Sequence, residues 1–221
     1  MLTIRDLTLE AMDGHPSVAA FHAQVPPGGN LLLTGASGRA RNRLLKAIAG
    51  TERPTAGSIR VGGVDVWPGK GAFALVGKVS VGLAFARGGL LANLTLRDNV
   101  ALPLRFLGIP SSQIAYRVEA ALDVFDLLQV AGLRPHAVSD AARKHANLAR
   151  ILALEPALVL LDDPLIGLEA DDRNSALELI RTWAGDAHCT LVIAAEEGSA
   201  YGSIEAQRLQ IPSVLSVQEP A

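Results

Sequence analysis

Aromatic residues are scarce, at 4% of 221 residues, and neither sign of charge dominates, the formal net charge being −2. With no basic field, nucleic acid is not an expected partner. Long apolar runs are also missing. No uncharged stretch approaches the roughly 20 residues that a membrane span needs, and Met1-Leu2-Thr3-Ile4-Arg5 lacks the layout of a signal peptide. The expected location is therefore the cytoplasm. A single cysteine, Cys189, excludes an intramolecular disulfide framework and, lying in an apolar strand-like run, reads as core. What the chain does have is 49% hydrophobic residues. At this length they can bury a sizeable core in one domain, with or without a small inserted lobe.

The most informative stretch is residues 34–45, TGASGRARNRLL, between the apolar run Leu31 to Leu33 and a helix-like run closed by Gly50. A strand, a Gly-bearing loop and a helix in that order form a phosphate-binding loop, with backbone N–H groups converging at the helix N-terminus. The full pattern is G-x-x-x-x-G-K-[ST], in which Lys reaches the outer phosphates and a hydroxyl holds Mg²⁺. Gly35 supplies the first glycine, whereas Ala40, Arg41 and Asn42 replace the second glycine, the Lys and the hydroxyl residue. Arg39, Arg41 and Arg43 place three cations at this helix start, an arrangement that serves either to hold an anion or to be solvated.

Elsewhere, residues 2–9 and 18–25 alternate as strands, Gly62-Gly63 marks a hairpin, and 79–85 is strand-like. Residues 96–134 have helical periodicity, with breaks expected at Pro103 and at Gly108 to Ser111, then one long amphipathic stretch from Gln113 to Val130. Ala157 to Leu161 is a buried strand ending in Asp162-Asp163-Pro164, a place where open α/β sheets present ligand chemistry. Two acids that simply end a strand in solvent are the alternative. Thr190 to Ala195 is a further strand.

In order and spacing, TERPTAGSIRVGGVDV, LLANLTLRDNVALPLR, PHAVSDAARKHANLARILALEPALVLLDDPLIGLE and TLVIAAEE resemble the ATP-binding subunit of ATP-binding-cassette (ABC) transporters along nearly the whole chain. Residues 90–105 and the compact length look like the lipid- and lipoprotein-transport branch of that family. The resemblance implies an α/β fold with a P-loop NTPase-like core. A mixed sheet, an antiparallel β subdomain and a helical subdomain inserted at about 88–150 would form a single domain over 1–221. It further implies ATP and Mg²⁺ as ligands, a transmembrane permease and a second ABC subunit as partners, and a peripheral position on the inner face of the membrane. The second subunit would be an identical copy or a competent sister chain.

The same resemblance assigns sites residue by residue. Gly35, Ser37, Gly38, Arg41 and Asn42 fall on the phosphate loop, and Asp162 on the metal-holding carboxylate. Asp163 stands for the Glu that activates water, one methylene shorter, and Glu196 for a His that contacts the outer phosphate. Ser139 is the surviving residue of the signature motif, where Asp140, Ala141 and Ala142 replace two glycines and a Gln. Ala86 replaces a metal-touching Gln, Glu169 keeps the charge of the loop across the dimer seam, and Glu197 adds a second acid beside Glu196. No aromatic occupies residues 10–15, where the family stacks adenine and this chain has only His15. A carboxylate such as Asp140 near phosphate repels it by about 1 to 4 kcal/mol per charge pair; as a helix-start pair, Ser139 and Asp140 are favourable.

Three functions follow from this pattern. The first is a transporter subunit that has lost ATP turnover and binds Mg-ATP weakly or not at all. The second is a working ATPase with Arg41 and Asp163 as stand-ins, and the third a scaffold that no longer binds nucleotide. The number of independent changes favours the first, since so many losses remove most of the roughly 8 to 23 kcal/mol of typical enzymatic acceleration. The mean hydropathy of +0.29 without a membrane span implies a buried contact. The expected place is the stretch from Ala86 to Leu104, with Phe85, Leu90, Leu91, Leu94 and Leu96 as anchors.

Overall fold

The computed structural model describes residues 1–10, 18–87, 89–196 and 198–212; His15, Glu197 and the apolar run beyond 212 lie outside them. Contacts divide the chain into two compact units, one of 1–83, 157–163 and 183–221, the other of 84–156 and 164–182.

The first unit holds two sheets. The antiparallel one has the order β2-β1-β4-β5, from β1 (Leu2–Leu9), β2 (Val18–Val25), β4 (Ala56–Val61) and β5 (Val64–Trp67). The alternation in β1 slips by one residue: Leu2 and Ile4 are buried, then Leu7 and Leu9. The register irregularity between Ile4 and Leu7, with Asp6 at φ 47°, absorbs the extra residue as a bulge. Gly62 and Gly63 turn the β4–β5 hairpin at positive φ.

The second sheet has the order β6-β7-β8-β3-β9. Its strands are β3 (Asn30–Thr34), β6 (Val81–Ala84), β7 (Leu158–Asp162), β8 (Thr190–Ala194) and β9 (Gln207–Gln210). β3, β7 and β8 run parallel, with Leu33 and Asp162 both opposite Ala194. Every residue of β7 and β8 is buried, which is why these runs carry no alternation. Helix α1 (Gly38–Ile48) lays Leu44, Leu45, Ala47 and Ile48 into the same core as Leu31, Leu33, Leu158 and Val192. A short helix α2 (Ala72–Leu75) follows β5.

The second unit is helical: α3 (Leu96–Phe106), α4 (Ser111–Asp123) and α5 (Asp140–Leu154) pack on one another. Pro103 does not break α3, contrary to expectation. Its flanking residues Val100, Ala101 and Leu104 are buried, and that packing outweighs the one backbone hydrogen bond proline removes. The helix instead ends before Gly108, at φ 70°. Nor is 113–130 one helix. It stops at Asp123, Asp126 takes φ 53°, and a separate 3₁₀ turn spans Leu128–Val130. The buried periodicity changes across the gap: Phe125 and Leu127 are buried, whereas Leu128 is 39% exposed. The last helix, α6 (Ala170–Gly185), contributes residues through Thr182 to the second unit and from Trp183 to the first.

Candidate functional site

The loop after β3 reaches α1 through two left-handed residues, Gly35 at φ 73° and Ala36 at φ 53°. Ser37 then caps the helix, its Oγ accepting from the Ala40 N–H at 3.2 Å. The first turn of α1 contains no acid, so its N-terminal dipole is left uncompensated. At the C-terminal end of β7, Asp162 and Asp163 are buried, at 4% and 9% exposure. The Asp163 N–H donates to the Ala194 carbonyl at 2.8 Å, and the Glu196 N–H donates to Asp163 Oδ1 at 2.9 Å, fastening the carboxylate to the end of β8.

These ends are cross-linked by side chains. Arg41 is 3% exposed, and its Nη2 meets Asp163 Oδ2 at 2.8 Å. Its Nη1 donates to the carbonyls of Ala36 at 3.0 Å and Gly35 at 3.4 Å, while Glu196 Oε2 lies 4.0 Å from Nη2. One residue on, Asn42 Nδ2 donates to Asp162 Oδ2 at 2.8 Å. The three arginines form no cluster: Arg39 is exposed, Arg41 is buried under the loop, and Arg43 pairs with Glu52 and the Glu10 carbonyl. Their spacing on one helix turn points them in different directions.

The structure thus brings Gly35, Ser37, Gly38, Arg41, Asn42, Asp162, Asp163 and Glu196 together in the first unit. Ser139 and Ala86 belong to the second. There Ser139 caps α5, accepting from the Ala142 N–H at 3.1 Å, and Asp140 pairs with Arg143 within the same turn. Glu169 is exposed just before α6. Ala86 lines a cavity of about 540 Å³ with Phe85, Leu90, Arg143, Lys144 and Asn147. Arg150 holds the backbone beside it, donating to the Gly89 carbonyl at 2.6 Å and to Asn147 Oδ1 at 2.6 Å. Of the expected docking anchors, Leu91 is 47% exposed and Leu96 is fully buried, so Leu96 is interior packing and not an anchor.

As arranged, these side chains contact one another at the place where the family resemblance puts phosphate and metal. Arg41 is paired with Asp163, though its Nε is buried without a hydrogen-bond partner, and Asp162 Oδ2 accepts from Asn42. Among the described residues, no group of three or more His, Cys, Asp or Glu is placed to hold a metal ion. Sequence reading missed the pairing itself. Its only trace was the matched change in length at positions 41 and 163, one side chain longer and the other shorter.

The fold is that of ATP-binding cassettes. A dimeric cassette solved in a post-hydrolysis state with ADP and Pi superposes with a TM-score of 0.86 at 19% identity, over 96% of this chain and 94% of that one. The ABC transporter family model matches residues 18–166, more than half of the sequence, and the chain belongs to that family. Among curated relatives, the methionine import ATP-binding protein MetN 2 of Burkholderia mallei is 34% identical, over 69% of this chain and 39% of its own length. The sulfate/thiosulfate import ATP-binding protein CysA of Gloeobacter violaceus is 32% identical, over 80% and 50%. The chain therefore spans half or less of these relatives.

Proposed function

We propose that this chain is an ABC subunit that docks beneath a membrane permease and pairs with a second cassette, identical or a competent sister, without turning over ATP. The observation that carries the reading is the mutual pairing of Arg41 with Asp163 and of Asn42 with Asp162. The groups that would serve phosphate, metal and attacking water serve each other instead, with Glu196 adding a further acid beside them. A triphosphate entering here would have to break a buried ion pair and lie against acids, with no added cation to offset either cost. The names of the relatives, import ATP-binding proteins, support the transporter role, and the dimeric cassette supports pairing. They support no lipid cargo, which only residues 90–105 suggest.

Among the described residues no helix is long and apolar enough to cross a membrane, so attachment to the inner face of the membrane would come through the permease. Its docking surface is the stretch around Leu90 and Leu91, beside the cavity at Ala86. The test is ATP hydrolysis by the purified chain, expected to equal that of a heat-inactivated control. Turnover abolished by Asp163→Ala would overturn the proposal in favour of a working ATPase. For docking, Leu91→Glu should release the chain from membranes with its circular dichroism unchanged. Full membrane retention of that variant would remove this stretch from the interface.

A further inference from the structure

The replacements at the phosphate loop complement one another. By resemblance to the family, position 41 has lengthened from Lys to Arg and position 163 has shortened from Glu to Asp, and the two side chains now meet at 2.8 Å, both buried. The following residue of α1 meets the preceding one at the end of β7, Asn42 to Asp162 at 2.8 Å. Two consecutive residues of α1 are therefore paired, in reverse order, with two consecutive residues at the end of β7. Two further ties extend the ladder: Glu196 N–H to Asp163 Oδ1 from β8, and Arg41 Nη1 to the Ala36 and Gly35 carbonyls of the loop.

We infer that this network is a built-in substitute for bound nucleotide and metal. It holds the loop, α1 and the ends of β7 and β8 in one arrangement that needs no ligand, so the chain does not change state with Mg-ATP. Here Arg41 Nη1 and Nη2 and Asp162 Oδ2 have intramolecular partners, while Arg41 Nε is buried without one. The inference rests on the reading of the chain as a non-hydrolysing cassette and adds its regulation: the subunit is permanently in one form, and any nucleotide control of the assembly comes from another chain.

The test is a double-mutant cycle on the full chain, read by thermal unfolding with and without Mg-ATP. Arg41→Met and Asp163→Leu should each lower Tm by roughly 6 to 20 °C, since each leaves a buried charge unpartnered. The double variant should lose clearly less than the sum of the two. Mg-ATP should leave the wild-type Tm unchanged. Additive losses, or a Tm that rises with Mg-ATP, overturn the substitute role. If a variant fails to fold, hydrogen exchange of the wild type decides the matter. Amides of residues 41, 42 and 163 should be as protected as those of Leu31 to Leu33 and gain nothing from Mg-ATP; protection that appears only with Mg-ATP overturns the inference. ATP turnover, measured on the same sample, tests the non-hydrolysing reading separately. Turnover with intact coupling sinks that reading, while additivity without turnover sinks the substitute role alone.

Discussion

The first turns of α1 and α5 begin alike and end differently. Each is capped by a serine whose Oγ accepts from the N–H three residues on, at 3.2 Å from Ser37 and 3.1 Å from Ser139. In α5 the cap is followed by Asp140, which offsets the helix dipole and pairs with Arg143, a half-buried side chain that also donates to the Pro135 and Val138 carbonyls. In α1 no acid follows; Arg39 is exposed, and Arg41 and Asn42 reach carboxylates about 120 residues away in sequence. One helix start is satisfied locally and the other by tertiary structure. Local satisfaction can be replaced piece by piece, whereas the buried kind fails as a unit.

The largest effect that sharpens this contrast is at the cations. Arg41→Ala should cost about 3 to 5 kcal/mol in chemical denaturation, the usual loss when half of a buried ion pair is removed. Arg143→Ala should cost less, about 1 to 2 kcal/mol, because its partner Asp140 is exposed to water and what is lost is its hydrogen bonds to the Pro135 and Val138 carbonyls. Equal losses at the two positions would break the comparison. The caps come next: Ser37→Ala and Ser139→Ala should each cost about 1 kcal/mol, alike because the two hydrogen bonds are alike. Asp140→Asn should cost about 0.3 to 1 kcal/mol, the range of a first-turn acid on a helix dipole, and the loss should shrink in high salt.

The smallest effect concerns Cys189, a buried group without an ionic partner and so the opposite of Arg41. Burial, and then the charge of Asp186, push its thiol up from 9.0 to about 11. A pKa raised on folding stabilises fully below pH 9.0, and that contribution is lost as pH climbs toward 11. Native protein at pH 8 should therefore resist alkylation by iodoacetamide, whereas denatured protein should react. Rapid reaction in the native state would contradict this burial.

The β-rich half of the chain was legible because its signals are local. Gly62-Gly63, the leucines before Gly35 and the aliphatic run before Asp162 each specify an element within a few residues. The helical half was less so. Pro103 and the gap after Asp123 were misjudged because buried neighbours decide whether a helix survives a proline, and a hydrophobic stripe continues through a turn that interrupts the backbone. At the site, the sequence placed Arg41, Asn42, Asp162 and Asp163 on their elements and gave neither partners nor direction for them. Arg41 was placed on the loop by its spacing, but whether a guanidinium points out toward a ligand or in toward Asp163 is set by a strand end 122 residues downstream. No pattern within the loop contains that information.

The pairing of Arg41 with Asp163 also limits how this sequence can change. Each residue has become the other's environment, so a return to Lys at 41 or to Glu at 163 must first pass through a chain whose buried pair no longer fits, and Asn42 and Asp162 are bound by the same condition. Removing one member of the pair is therefore expected to cost more than replacing both together. Asp140, exposed to water, remains free to drift on its own. A lineage carrying this ladder would be expected to diversify at the start of α5 long before it does so at the start of α1.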